Sequence, residues 1–256
     1  MKAPTANEIY QKLCTWSQMT RETTGDGLVL GDGEREVHTV AVTIIASPRV
    51  IRLARDMGAD MILTHEPTLQ TALAGEEDSV VAAKRALCEE VNIPILRFHD
   101  HMHFTEVDKI NLGVLSRLGL EGDFDGQKTF TLATPMPASQ LITHICDRLS
   151  LRHPRYIGQA DLPVRTLSLL FGAWGDARIH AEFSRPEVDL AIIGEGCEYS
   201  LCEYVRDAVE LGAPKGLLIL GHMGSEKAGM EYLTDQLNIL FPNVRAVYID
   251  AGEVYN

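Results

Sequence analysis

The sequence has little positive charge and no long hydrophobic run. It contains 23 lysines and arginines against 36 aspartates and glutamates, which gives a formal net charge of -13. Binding along a nucleic-acid backbone depends on basic side chains that displace counterions, so this balance argues against a nucleic-acid partner. No apolar run approaches the roughly 18 residues that a bilayer-spanning helix needs. The first residues also lack the apolar centre of a signal peptide, which predicts a cytoplasmic protein.

Cysteine is scarce, and the usual motifs of covalent and nucleotide chemistry are absent. The five cysteines are odd in number and show no CxxC spacing, so reduced thiols are expected rather than a disulfide framework. No nucleophile elbow and no P-loop is present. The glycines of "GDGLVLGDGE" precede a strand instead of following one, which predicts a pair of turns rather than a phosphate-binding loop. Any chemistry must therefore come from other residues.

Apolar strands and amphipathic helices alternate along the chain. "EVHTVAVTIIA", "SPRVIRLARDMGAD" and "MILTH" form a strand, a helix and a strand, with Ser47 as N-cap and Pro48 in the first turn of the helix. The helical pattern "EEDSVVAAKRALCEEVN" then leads into the strand "IPILRFH". This order predicts an α/β fold with mainly parallel sheets.

A turn-rich segment near the middle of the chain suggests two lobes. "EGDFDGQ", residues 121–127, is rich in glycine and aspartate and follows an amphipathic helix. We place the first α/β lobe at residues 1–125 and the second at 126–256. The final strands of the second lobe can pack back on the first.

Three predicted strands run directly into histidine. If these strands are parallel neighbours, their carboxyl ends meet at one edge of a sheet, where ligands bind in open α/β folds. Imidazole and carboxylate ligands together suit zinc, manganese, iron or cobalt, and six such groups can hold two ions close together. The sequence therefore predicts a metal site at the carboxyl ends of the strands, with these candidate ligands: His65, Glu66, His99, His103, His222 and Glu226.

The segment "FHDHMHF" also contains residues whose roles stay open. An extended segment would place His99, His101 and His103 on one face, whereas a turn after His99 would separate them. We favour His99 and His103 as direct ligands, with His101 beside the ligands or in a proton relay, and Asp100 orienting an imidazole. Glu195, at the end of "VDLAIIGE", is either a carboxylate near a helix start or a partner of a ligand.

A histidine after one strand is more often a surface or capping residue than a ligand, and only the three segments together favour a metal. The remaining histidines have no comparable setting and are expected to be solvated or packed: His38, His144, His153 and His180. "FHDHMHF" also resembles the opening signature of amidohydrolase-type barrels. It follows at least two strands, however, and leaves too little chain for eight βα units of ~250 residues.

Several motifs in order resemble the Nif-three-like family, whose members are also described as GTP cyclohydrolase type 2-like or dinuclear metal-centre hexameric proteins. The resemblance rests on "TTGDGLVLGDG", "VTIIASPRVIRLARDMGADMILTHEPT", "RFHDHMHF", "VDLAIIGEGCEYSL" and "LILGHMGSEKAGMEYLTDQL". It implies two divalent metals held between α/β lobes, in subunits that assemble as a toroidal homohexamer.

The resemblance assigns His65, His99, His222 and Glu226 as metal ligands. Two positions depart from the family pattern: Glu66 stands where a second histidine is usual, and His103 stands where an aspartate is usual. The two exchanges leave the ligand count and the total charge of the site unchanged. Both residues are therefore expected to be ligands, with Glu226 or Glu66 bridging the ions.

The resemblance implies a metal-dependent hydrolase acting on a small-molecule substrate. Glu226 and His101 are the candidates for catalytic groups. The rival hypothesis is a non-catalytic ring that stores, delivers or senses divalent metal, and a weaker one is a scaffold braced by its metals.

Overall fold

The computed structural model describes residues 2–255 and shows a mixed α/β fold with two sheets. The chain divides into two compact units. The first runs to Glu106 and also includes Met230–Gly252, whereas the second contains Val107–Gly229 and the C-terminal residues from Glu253. Among residues 2–255, every helix is too short or too polar to traverse a lipid bilayer.

The first unit contains a five-stranded sheet with the order β1-β4-β3-β2-β11. Strands β4, β3, β2 and β11 run parallel, and only β1 is antiparallel to its neighbour. Its strands are β1 (Gly27–Leu30), β2 (Thr39–Thr43), β3 (Met61–Thr64), β4 (Ile95–Arg97) and β11 (Arg245–Tyr248). Its helices are α1 (Ala6–Ser17), α2 (Pro48–Asp56), α3 (Thr71–Ala74), α4 (Ser79–Val91) and α5 (Asp100–His103).

Local sequence signals explain how the first unit forms these elements. The Ser47 hydroxyl accepts a hydrogen bond from the Val50 N–H at the start of α2, with Pro48 in the first turn. All four residues of β3 are buried, as expected for a central parallel strand covered on both faces. Such burial stabilises the fold by about 1.5–3 kcal/mol for each large apolar side chain.

The second unit contains a six-stranded sheet with the order β5-β6-β8-β9-β10-β7. Its strands are β5 (Gly122–Phe124), β6 (Thr129–Pro137), β7 (Arg155–Ile157), β8 (Pro163–Leu170), β9 (Leu190–Ile193) and β10 (Gly216–Ile219). Its helices are α6 (Lys109–Leu118), α7 (Ala138–Leu149), α8 (Asp176–Phe183), α9 (Glu203–Glu210) and the first part of α10 (His222–Leu240), with a π-helical turn at Glu198–Cys202.

Only the centre of the second sheet is parallel, so the expectation of mainly parallel strands holds for the first sheet but not for this one. Strands β8, β9 and β10 are parallel, whereas β5, β6 and β7 pair antiparallel. The cause is local. A carboxylate oxygen of Asp125 accepts hydrogen bonds from the backbone N–H groups of Gln127, Lys128 and Thr129 and closes a tight β5–β6 hairpin.

The turn-rich segment at residues 121–127 is thus a hairpin inside the second unit. Helix α6, which precedes it, groups with the second unit, and β11 pairs with β2 in the first. The boundary between the two lobes at residues 125/126 stays a prediction. All five cysteines are free thiols.

Candidate metal centre

His65 directly follows β3 and is completely buried. Its Nδ1 lies 3.2 Å from the backbone oxygen of Phe98. A carbonyl oxygen can only accept, so Nδ1 carries the proton and donates it there. The Nε2 atom of His65 therefore presents a lone pair, which is the form of imidazole that binds a metal.

His99 follows β4 and has the same arrangement. Its Nδ1 donates to a carboxylate oxygen of Asp100 at 2.9 Å, which leaves the Nε2 lone pair free to bind. The next residues form the short helix α5, in which the His103 N–H donates to the His99 carbonyl oxygen at 3.3 Å. The chain thus turns after His99, and residues four apart lie on one side of the turn.

The imidazoles of His65, His99 and His103 converge. Their ring centroids lie 4.5 Å (His65–His99), 5.1 Å (His65–His103) and 4.8 Å (His99–His103) apart. The Nε2 atoms of His65 and His103 are 3.2 Å apart, and a Glu66 carboxylate oxygen lies 4.0 Å from His99 Nε2. Two ligand atoms about 2.1 Å from a tetrahedral ion are separated by roughly 3.4 Å. The geometry fits a bound cation.

The electrostatics of this cluster favour a neutral imidazole at His99. Burial, together with the neighbouring rings of His65 and His103, lowers the pKa of His99 to about 4. Metal binding requires the unprotonated ring, so His99 does not have to lose a proton at neutral pH before it binds.

Asp26 is the residue of this region that the sequence patterns did not identify. Its side chain is fully buried, and one of its carboxylate oxygens accepts the His99 backbone N–H at 2.9 Å. The other accepts the backbone N–H of His101 at 3.0 Å and His101 Nδ1–H at 2.9 Å. Burial would raise the pKa of Asp26, but these hydrogen bonds outweigh burial and lower it to about 2. Asp26 thus anchors the turn after β4 as a permanent carboxylate.

The turn directs His101 away from the other two histidines of its segment and onto Asp26. Its ring stacks on Phe98 at 5.0 Å and meets Tyr10 edge-on at 5.9 Å. Burial alone would lower the pKa of His101. The hydrogen bond to Asp26 outweighs burial and raises this pKa to about 9. The assignment of His101 as a catalytic proton carrier stays a prediction.

The second unit carries a His–Glu pair at the start of α10. His222 Nδ1 lies 3.0 Å from a carboxylate oxygen of Glu195, and His222 Nε2 lies 3.3 Å from one of Glu226. His222 is held in the same way as His99, because a carboxylate orients its Nδ1 and leaves Nε2 as the candidate ligand atom. Glu226 is only 1% exposed, and a carboxylate at such depth needs a hydrogen bond or a cation. Glu195 is therefore the partner of a candidate ligand.

Two glycines make room for this pair. Gly172 has a positive φ of 74°, and a Cβ there would stand 2.3 Å from a carboxylate oxygen of Glu226. The Ser225 hydroxyl donates to the His222 carbonyl oxygen and accepts the Gly172 N–H. A Cβ on Gly194 would meet the Gly172 carbonyl oxygen at 2.4 Å. The loop after β8 is thus packed closely against the start of α10.

Replacing Gly172 by alanine is expected to destabilise the protein by about 2–4 kcal/mol, because it combines backbone strain at positive φ with displacement of a buried carboxylate. Urea unfolding measures the change. Gly212→Ala is the matched control: its φ is 93°, and no atom lies within 4 Å of the new Cβ. That control should cost only about 1 kcal/mol. Equal costs for the two variants would show that contact with Glu226 contributes nothing.

The fold and these two groups of side chains define a class: an α/β protein with clustered histidines and carboxylates that could bind a metal. The sequence model of the Duf34/NIF3 (NGG1p interacting factor 3) family matches residues 1–253, and the chain belongs to this family. The resemblance inferred from the motifs is confirmed.

Curated relatives and solved structures agree with this assignment. The chain is 22% identical over 211 residues to "GTP cyclohydrolase 1 type 2 homolog" of Clostridium perfringens, covering 78% of each chain. It is 24% identical over 224 residues to the homolog of the same name from Clostridium acetobutylicum, covering 82% of this chain and 80% of that protein. A Bacillus cereus protein related to NIF3 has a similar structure, with a TM-score of 0.80, 15% identity and full coverage of both chains.

Proposed function

We propose that this protein binds two divalent metal ions and uses them to hydrolyse a small substrate. The proposed ligands are His65, Glu66, His99, His103, His222 and Glu226. The observation that carries the proposal is the convergence of His65, His99 and His103, whose candidate ligand atoms lie within 4.8 Å of one another while the Nδ1 atoms of His65 and His99 each face an acceptor oxygen. Lone pairs packed this closely repel one another unless a proton or a cation lies among them.

Imidazole nitrogens and carboxylate oxygens fit zinc, manganese, iron or cobalt. Bound ions of this kind would supply Lewis-acid chemistry, by polarising the substrate and lowering the pKa of a water molecule. The protein's part is orientation: Phe98, Asp100 and Glu195 each hold the Nδ1 atom of one histidine. The buried carboxylate of Glu226 is the proposed acceptor of the proton that water releases, and His101, whose ring is held by Asp26, is the second proposed catalytic group.

The name of the clostridial relatives, GTP cyclohydrolase 1 type 2 homolog, supports hydrolysis as the reaction class. We extend the class of reaction to this chain and leave its substrate open. The toroidal homohexamer implied by the resemblance and the cytoplasmic location predicted from the N-terminal residues belong to the same proposal. Mass measurement in solution tests the hexamer.

The exchange of ligand types at residues 66 and 103 gives the sharpest test of the ligand set. The double variant Glu66→Ala/His103→Ala is expected to bind fewer than two ions per chain, because it removes one carboxylate and one imidazole from the proposed site. Elemental analysis after dialysis against zinc measures the stoichiometry. Glu90→Ala/His38→Ala removes the same two residue types from exposed positions and should leave the count unchanged. Two ions retained in both double variants would contradict the proposal.

Catalysis is tested separately from metal binding. The metal-loaded protein is assayed against phosphoesters, nucleotides and cyclic amides, and Glu226→Ala is expected to abolish any turnover. A protein that exchanges its metals reversibly and turns over none of these substrates would instead be a metal store, carrier or sensor.

A further inference from the structure

The second unit contains a cavity of about 1030 Å³ beside the His222–Glu195 pair. Four chain segments line it, at residues 152–155, 194–196 with 198, 220–224 and 253–255. The volume lies at the upper end of the range for small-molecule sites, which is roughly 300–1,000 Å³. The cavity is therefore large enough to enclose a whole substrate next to His222, a proposed ligand.

Most charges in the cavity lining are already paired. Glu195 is bound to His222 Nδ1, and Arg155 forms a 2.6 Å salt bridge with Glu198. Arg152 differs, because it is exposed and forms no salt bridge with any residue in the range 2–255. The guanidinium group of Arg152 thus presents a planar set of donors that suits a phosphate or a carboxylate.

We infer that this cavity binds a small organic anion, whose phosphate or carboxylate group is held by Arg152 while its other end faces His222. The inference rests on the proposed function and adds the substrate class. Divalent ions bound at the proposed ligands would also favour a negatively charged substrate, since they attract anions and repel cations. Glu253 lines the cavity from the C-terminal segment and opposes an anion, so it is expected to limit the affinity.

Calorimetry on the zinc-loaded protein tests this with three probes: phenyl phosphate, benzoate and neutral benzyl alcohol. Arg152→Gln is expected to weaken binding of the anionic probes about fivefold, because an exposed arginine contributes modestly. Binding of benzyl alcohol should not change. Glu253→Gln should tighten binding of the anions about twofold, since it removes like-charge repulsion. Tighter binding of phenyl phosphate than of benzoate would identify phosphate as the preferred group.

Arg165→Gln is the matched control, because Arg165 is an exposed arginine of the same unit outside the cavity lining. The inference is overturned if Arg152→Gln binds the anions as the unchanged protein does, if Arg165→Gln loses as much affinity, or if neither anion binds at millimolar concentration.

Elemental analysis of the same samples separates this inference from the proposed function. If two zinc ions are bound but anion affinity does not depend on Arg152, only the inference about the cavity fails. If no zinc is retained and anion binding still depends on Arg152, the proposed metal function fails while the anion site stands.

Discussion

The His99→Ala variant is expected to bind Zn²⁺ more than 100-fold more weakly than the unchanged protein. Loss of a group that only orients a ligand typically costs 10–100-fold in metal affinity, and His99 is proposed as a ligand itself. Its Nε2 lies among the His65 and His103 rings and 4.0 Å from a Glu66 oxygen, so its removal opens one side of the cluster. Competition with a chromophoric chelator measures the affinity.

Stability of the metal-free protein shows whether the variant still folds. The side chain of His99 is 24% exposed, so its removal takes little from the buried core. The unfolding free energy of metal-free His99→Ala, measured in urea with a chelator, should therefore stay within about 1 kcal/mol of that of the unchanged protein. His38→Ala, at an exposed histidine of the same unit, is the control and should keep full zinc affinity. Equal zinc affinity of His99→Ala and His38→Ala would remove His99 from the ligand set.

The sequence predicted the parts of the fold that depend on neighbouring residues. Strands β3 and β4 were recognisable as short apolar runs, and each ends at a histidine. The helix start at Ser47 followed from its N-cap pattern. Since parallel strands present their carboxyl ends at one edge, convergence of His65 and His99 followed from strand order.

Long-range partners could not be predicted in the same way. Asp26 binds His101 across 75 positions in the chain, and its local pattern shows only a turn between glycines. The conformation after β4 also depended on this distant contact, because an extended segment and a turn fit the residues equally well. The antiparallel edges of the second sheet were missed since β7 has only three residues and its partner, β10, lies about 60 positions further on.

Asp26→Asn is the second change for which we expect a large effect, a 10–100-fold loss of zinc affinity. Both carboxylate oxygens of Asp26 accept N–H groups: one oxygen accepts from His99 and, at 3.4 Å, from Arg97 Nη1, and the other accepts twice from His101. An amide has a single oxygen, and its NH₂ group cannot accept. If the amide oxygen faces His101, the NH₂ group opposes the His99 N–H, and the reverse orientation loses both bonds to His101. Either orientation loosens the turn that positions His99 and His103.

The same substitution should lower the unfolding free energy by about 1–3 kcal/mol, the usual cost of a buried polar group left without its partner. Asp32→Asn is the control in the same region, because Asp32 is exposed and accepts one N–H, from Glu34, which an amide oxygen can also accept. That variant should stay within about 0.5 kcal/mol of the unchanged protein and keep its zinc affinity. If Asp26→Asn loses stability but binds zinc normally, Asp26 serves only the fold. If it loses affinity as well, the buried carboxylate acts on the metal site by fixing the backbone of His99.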